Sequence, residues 1–409
     1  MPEPWLIATA RDLVARLQKK SFAYWVRLLI TVVVVQALVT WADHKGWITG
    51  ARSTFHRFLQ KTSPVKAVDQ NTVVITIDDD EYWKGELQGR IPIKRDYLAA
   101  LITRLDIAEA GVIALDFDLR SPTPDGQPLE SSDYARETGK LLDRIRDVAP
   151  RRAIVLPRTI WRVKNGEYIP HSDIYDGYDF GTPNVFKGYI ALPENRLKIP
   201  LTLMLKGGAP LDSFSMAVVR AFRPKALNGL PQAVDALYGS FISENGFDHK
   251  TAQEVLTGDP KVLHKDIVGR VVIIGGAWSK WAYSVGQRID LHETPMGSMP
   301  GAYLHANYVE AILGTRAYPP FGEKAVKIIE WLVVLGMAIG FAAAESPKRK
   351  VGVVAVSWIL LGFFSYFSFI NLGIVFDLFV PALSVTVHWL FEQFWEGFQK
   401  SQVKLRRGV

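Results

Sequence analysis

The sequence predicts an α/β extracytoplasmic domain with a mainly parallel sheet, plus four transmembrane helices. Three observations carry that expectation. Long apolar runs sit at both ends of the 409-residue chain, strands alternate with amphipathic helices between them, and basic residues collect beside the apolar runs. The net charge of +7 therefore reflects membrane topology, and no nucleic-acid partner is expected. The chain has no cysteine, which excludes disulfides, thiolate nucleophiles and cysteine-ligated metal centres within it.

A helix needs about 20 apolar residues to cross a hydrocarbon core. Residues 1–20 read as a cytoplasmic segment and 21–41 as the first span. Arg27 lies close enough to the boundary for its side chain to reach the headgroups. Lys19 and Lys20 also resemble the basic start of a signal peptide. The following apolar stretch is long, however, and Val39-Thr40-Trp41-Ala42-Asp43 is a poor cleavage site, which favours an uncleaved anchor. Residues 42–321 form the outward domain. Further spans follow at 327–344, 351–370 and 374–391, with a tail at 392–409.

Lysine and arginine fix the orientation. Arg11, Arg16, Lys19 and Lys20 precede the first span. Lys348, Arg349 and Lys350 lie between the second and third, and Lys400, Lys404, Arg406 and Arg407 follow the last. Four spans place all these clusters on one side, so both termini are expected in the cytoplasm of a bacterial inner membrane. Asn371, Leu372 and Gly373 make a tight link between the last two spans. Gly336 and Gly340 form a GxxxG pair suited to close helix packing. Glu330, Asp377 and His388 each lie within reach of an interface, and Pro381 is expected to kink the fourth span.

Within the outward domain, Asn71–Ile77 is a β-branched run that enters an acidic loop. Lys94–Ala110 has a helical period, Gly111 ends it, and Val112–Phe117 is the next strand. One helix between two buried strands predicts a right-handed unit with parallel strands. Leu129–Val148 reads as a helix and Ala153–Leu156 as a strand. Gly269–Gly276 is a strand running into a glycine turn, and Gly301–Leu313 a last helix. Between Pro157 and Lys261 the pattern weakens, and Ser213–Phe222 is the convincing helix there.

These segments resemble the second type of CHASE domain, the cyclase- and histidine-kinase-associated sensory extracellular domain of bacteria. The resemblance rests on Val74–Asp79, on Ile93-Lys94-Arg95-Asp96 leading a helix to Ala110-Gly111, and on Ile113–Phe117 running to Ser121-Pro122. It rests most specifically on Gly269–Gly275, Asp290, Thr294–Gly297 and Met299–Asn307. It implies a sensory fold flanked by spans. Members of that family commonly continue into a cyclase or kinase domain, whereas the tail after Phe391 is too short for one. A free-standing member, with output supplied by a partner protein, is therefore expected.

In an open parallel sheet, ligands gather beyond the carboxyl ends of the strands. Asp78, Asp79 and Asp80 follow one strand, with Glu81, and Asp116 and Asp118 end a neighbouring one. These carboxylates are candidates for a divalent cation or a cationic ligand, with Asp79 and Asp116 preferred; helix capping is the competing role. Gly275–Lys280 lacks phosphate-loop spacing. His292, Glu293 and His305 have no zinc-binding pattern, and His305 is expected to be a buried hydrogen-bonding group. Ser279 and Ser284 have no nucleophile-elbow context, so no catalytic residue and no cofactor is expected. The reading is a membrane sensory or assembly subunit, not an enzyme, that acts through a partner chain and is compatible with a homo-oligomer. The alternative is a purely structural scaffold of a larger envelope complex.

Overall fold

The computed structural model describes residues 15, 17–18, 20–62, 70–120, 132–163, 166–193, 196, 198–230, 236–280, 288–294, 296–314, 316–318, 323–344, 346–372 and 379–407. The chain divides into two compact units, Met1–Leu59 with Phe321–Val409, and Gln60–Pro320.

The second unit is built on a six-stranded sheet. Its strands are β1 (Thr72–Ile77), β2 (Val112–Asp116), β3 (Ala153–Arg158), β4 (Val185–Tyr189), β5 (Asp248–Thr251) and β6 (Val271–Gly276). All neighbours are parallel, in the order β5-β1-β6-β2-β3-β4. Every residue of β1 is buried, as are Val112–Leu115 of β2 and Val271–Gly275 of β6. Such runs suit inner strands covered on both faces. β1 and β2 are parallel as expected, but β6 lies between them: Ile75 pairs with Ile274, and Ile274 with Leu115.

The helices on this sheet are α1 (Arg95–Ile107), α2 (Ser132–Val148), α3 (Phe214–Phe222), α4 (Ala252–Thr257), α5 (Pro260–Ile267) and α6 (Gly301–Leu313). Side-chain alternation along the strands divides the core. Ile75, Ile77, Ile113 and Leu115 face α1, α2, α4 and α5 through Leu98, Leu101, Leu141, Ile145, Val255 and Leu263. Val74, Val112 and Ala114 face α3 and α6 through Phe214, Val218, Leu304 and Tyr308. The result is a three-layer α/β/α arrangement.

Local chemistry explains the boundaries. Ser213 Oγ accepts from Met216 N at 3.2 Å and starts α3. Thr251 and Glu254 form a reciprocal capping box at α4. The helix expected to reach Ala110 ends at Ile107, because Glu109 turns with φ 57° and Ala110 bridges to Val268. A Cβ on Gly111 would lie 2.7 Å from the Gly269 carbonyl oxygen, so glycine is needed where β2 begins. The weakly patterned stretch between Pro157 and Lys261 holds β4, β5, α3, α4 and two antiparallel hairpins, Ile160–Arg162 with Tyr168–Pro170 and Thr202–Met204 with Pro210–Asp212.

In the first unit, helices run over Phe22–His44, Glu323–Ala343, Pro347–Leu372 and Phe379–Arg407. Helix Thr49–Thr62, which the sequence reading did not anticipate, lies near the start of residues 42–321. Among the described residues, two helices are long and apolar enough to cross a membrane, Phe22–His44 and Lys348–Ile370, against four expected spans. The Glu323–Ala343 helix keeps a shorter apolar stretch, Trp331–Gly340, because charged residues occupy its first turns. The first five residues of the expected span 374–391, with Asp377, lie outside the described residues, as do Gly373 and the side chain of Glu330. Pro381 lies in the helix Phe379–Arg407, whose preceding residues 373–378 are outside the described residues. Asn371 and Leu372 continue the preceding helix.

These helices also make polar contacts. Ser384 Oγ donates to Gln36 Oε1 at 2.8 Å, both buried, and Trp358 Nε1 donates to Thr386 Oγ1 at 3.0 Å. A Cβ on Gly340 would meet Val353 at 3.3 Å, whereas one on Gly336 would meet nothing within 4 Å. Gly340 thus packs within the unit, and among the described residues nothing packs on Gly336.

Candidate functional site

β1, β6 and β2 end on the same side of the sheet, and the segments that follow them bound a cavity of about 750 Å³. This is where a parallel sheet places ligands, because loops diverge at the strand ends and leave a crevice. Asp116, Phe117, Asp118 and Arg120 enter it from the end of β2, Gly276 and Trp278 from β6, and Tyr82 from the turn after β1. The loop Arg90–Ile93 and Arg95, the first residue of α1, line it further. So do Trp161 and His171, from the hairpin beyond β3.

The walls are fixed by aromatic contacts. Trp278 stacks on Tyr82, and Trp161 on His171 with centroids 3.8 Å apart. Tyr82 OH donates to Arg90 O at 3.3 Å, and Trp83 Nε1 to Ser279 O at 3.2 Å. Gly276 permits this wall: a Cβ there would lie 2.5 Å from the Trp278 ring. Beside the hairpin, Arg158 bonds Asp173 at 2.7 Å and Asp176 at 2.8 and 2.7 Å, while Ile174 N donates to Leu119 O at 3.0 Å. That network ties the segment after β2 to the segment after the hairpin.

The expected acidic residues separate into different contacts. Asp116 and Asp118 line the cavity; Asp78, Asp79 and Asp80 do not. Asp78 Oδ1 accepts from Glu81 N at 3.1 Å, the capping role. Asp79 accepts from Ser279 N and Oγ, both at 2.7 Å, and so fastens the turn after β1 to the turn after β6. Asp80 is exposed and meets Lys84 at 3.4 Å. Among the described residues, no group of three or more His, Cys, Asp or Glu side chains is arranged to hold a metal ion. The geometry thus gives the divalent-cation reading no support.

Burial governs the charges that remain. Asp116 is pushed well above the usual carboxylate range by burial, with the charge of Asp290 adding to the effect. His305 is pushed down to about 4 by burial. His305 Nε2 lies 3.8 Å from Asp116 Oδ1. His305 Nδ1 lies 3.3 Å from Ser215 Oγ, so the histidine is the buried hydrogen-bonding group its helix position suggested. Burial pushes the Asp118 carboxyl up, but its hydrogen bonds to Arg120 outweigh that and hold it below the usual range. His171 is lowered by burial and by Arg120. His292 Nε2 meets Asp290 Oδ1 at 2.7 Å.

The CHASE2 domain family matches residues 28–342, well over half of the chain. The chain belongs to the CHASE2 domain family. No curated protein and no solved structure matches it. Some of the residues that carry the resemblance come together at the strand ends. Ile93 and Arg95, Asp116 and Phe117, and Asp290 all line the cavity. A CHASE2 domain is a sensory-type domain.

Sequence reasoning missed Arg90, Arg95, Arg120, Trp161 and His171. For Arg95 a signal was present. A basic residue at the first position of a helix sits at the positive end of the helix dipole, where an acidic one is normally favoured. The hairpin residues carried none, because their approach to the cavity depends on long-range packing.

Proposed function

We propose that this chain is a membrane-anchored sensor whose outward CHASE2 domain binds a small molecule in the cavity at the carboxyl ends of β1, β2 and β6. The observation that carries this reading is that Ile93, Arg95, Asp116, Phe117 and Asp290, from three of the segments that carry the resemblance, line one aromatic-walled space of about 750 Å³, the size of a small-molecule pocket. Four spans place the domain outside a bacterial inner membrane and both termini inside. The positive charge beside each apolar run supports that orientation. The role is sensory and not catalytic, with output passed to a partner chain through the helices. The face bearing Gly336, on which nothing packs among the described residues, suits such a contact.

A bound ligand raises apparent stability by mass action. Melting of the purified full chain should therefore shift upward with some small-molecule fraction of a cell extract. The shift should be lost in Ile289→Trp, which narrows the cavity. A shift of equal size in wild type and Ile289→Trp would place binding elsewhere. No shift with any fraction would favour the structural-scaffold alternative.

A further inference from the structure

Several charged groups around the cavity have a hydrogen-bonded partner. Asp118 is held by Arg120 at 2.8 and 2.7 Å, and Asp290 by His292 at 2.7 Å. Burial raises the Asp116 carboxyl well above the usual carboxylate range. Arg90 Nη1 donates to Glu137 Oε1 at 2.6 Å, and the other oxygen of Glu137 accepts the backbone N–H of Arg95 at 3.3 Å.

Arg95 has no hydrogen-bonded carboxylate among the described residues, although its charge helps to lower Asp118. It is 1% exposed, the largest fully buried side chain among the described residues. Its Nη2 donates to Tyr134 OH at 3.3 Å, and the guanidinium lies 5.8 Å from the Tyr134 ring centroid. Its Nε and Nη1 have no hydrogen-bond partner among the described residues. Arginine stays charged in proteins, so this is a buried cation without a bonded carboxylate among the described residues. It also opens α1, where the helix dipole adds positive potential to its own charge. A fold that keeps such a group beside a cavity leaves a site complementary to negative charge. Asp116, Asp118, Asp290, Arg90, Arg120 and His171 also line the cavity, and between them Trp278, Tyr82, Phe117 and Trp161 present ring surfaces and Ile289 an aliphatic one.

We infer that the cavity takes a small organic anion, a carboxylate carried on a planar apolar body, with the Arg95 guanidinium as the balancing charge and the aromatic walls enclosing the body. The inference rests on the cavity being the ligand site and adds the chemical class of the ligand. It differs from the sequence expectation of a cationic ligand in sign.

The test uses three probes matched in shape and different in charge: 3-phenylpropionate, 3-phenylpropionamide and 3-phenylpropylamine. Each is titrated calorimetrically into the purified full chain. The carboxylate should bind about tenfold more tightly than the amide, with the amine weakest, as a charge-assisted contact requires. Arg95→Gln should bring the carboxylate to the affinity of the amide while leaving the amide unchanged, and Arg95→Lys should restore part of the preference. An amide or amine that binds wild type as well as the carboxylate does would overturn the anion assignment and leave the cavity as a ligand site. A preference retained in Arg95→Gln would overturn the role of Arg95. Binding of none of the three would count against the cavity as a ligand site altogether. The comparison among probes on wild type needs no variant to fold.

Discussion

Tyr82 and Trp278 stack with their ring centroids 4.0 Å apart and their planes within 8° of parallel. One ring follows β1 and the other follows β6, so the contact joins the loops of two adjacent strands and forms a wall of the cavity. Trp278 is 9% exposed. Trp278→Ala is expected to lower unfolding stability by about 3–5 kcal/mol, and Trp278→Phe by clearly less, because a phenyl ring retains much of the stack. Denaturant unfolding of the full chain measures both.

The register of β6 against α6 supplies a second expectation. A Cβ on Gly275 would lie 2.6 Å from the Cβ of Ala302, closer than two such atoms can approach. Gly275→Ala should therefore cost about 1–3 kcal/mol by overpacking. The double variant Gly275→Ala/Ala302→Gly should recover part of that loss, since the two sites share one contact. Additive losses would show that strand and helix do not meet there.

Much of this fold could be read from the sequence, for reasons visible in particular segments. β1, β2 and β6 are inner strands covered on both faces, so burial selects unbroken runs such as Val271–Ile274. The strand β5 could not be read. It is the edge strand Asp248-His249-Lys250-Thr251, partly exposed, and its polar side chains give no apolar run. The site divides in the same way. Asp116 and Asp118 followed from the rule that ligands meet strand ends, and they do line the cavity. Asp79 obeyed the same rule in sequence, yet in the structure it turns away to hold Ser279. Hydrogen-bond partners of that kind, 200 residues apart in sequence, are set by packing.

Glu81 gives a pH dependence. Its side chain is buried, Oε2 has no hydrogen-bond partner among the described residues, and burial together with the charge of Asp78 raises its pKa from 4.5 to about 7. A carboxyl raised on folding holds its proton more tightly in the native state. Its contribution is therefore full below about 4.5 and is lost as pH rises towards 7. Glu81→Gln should raise the melting temperature at pH 8 but not at pH 4. Allowing for solvent screening, the effect should be on the order of 1–2 kcal/mol. An equal effect at both pH values would show that the carboxyl is not perturbed.

The topology gives a third kind of test. Single cysteines introduced into this cysteine-free chain report sidedness without background. Labels at positions 349 and 404 should react from the cytoplasmic side only, and one at position 178 from the outside only. External reaction at position 349 would contradict the four-span arrangement.

The central claim is that the cavity at the strand ends receives the signal. Hydrogen–deuterium exchange on the full chain in lipid nanodiscs tests it most directly, with and without the small-molecule fraction that raises its melting temperature. The account predicts slowed exchange in residues 90–95, 116–120 and 276–280, the segments that bound the cavity. Slowed exchange confined to other parts of the domain, with these three segments unchanged, would contradict it.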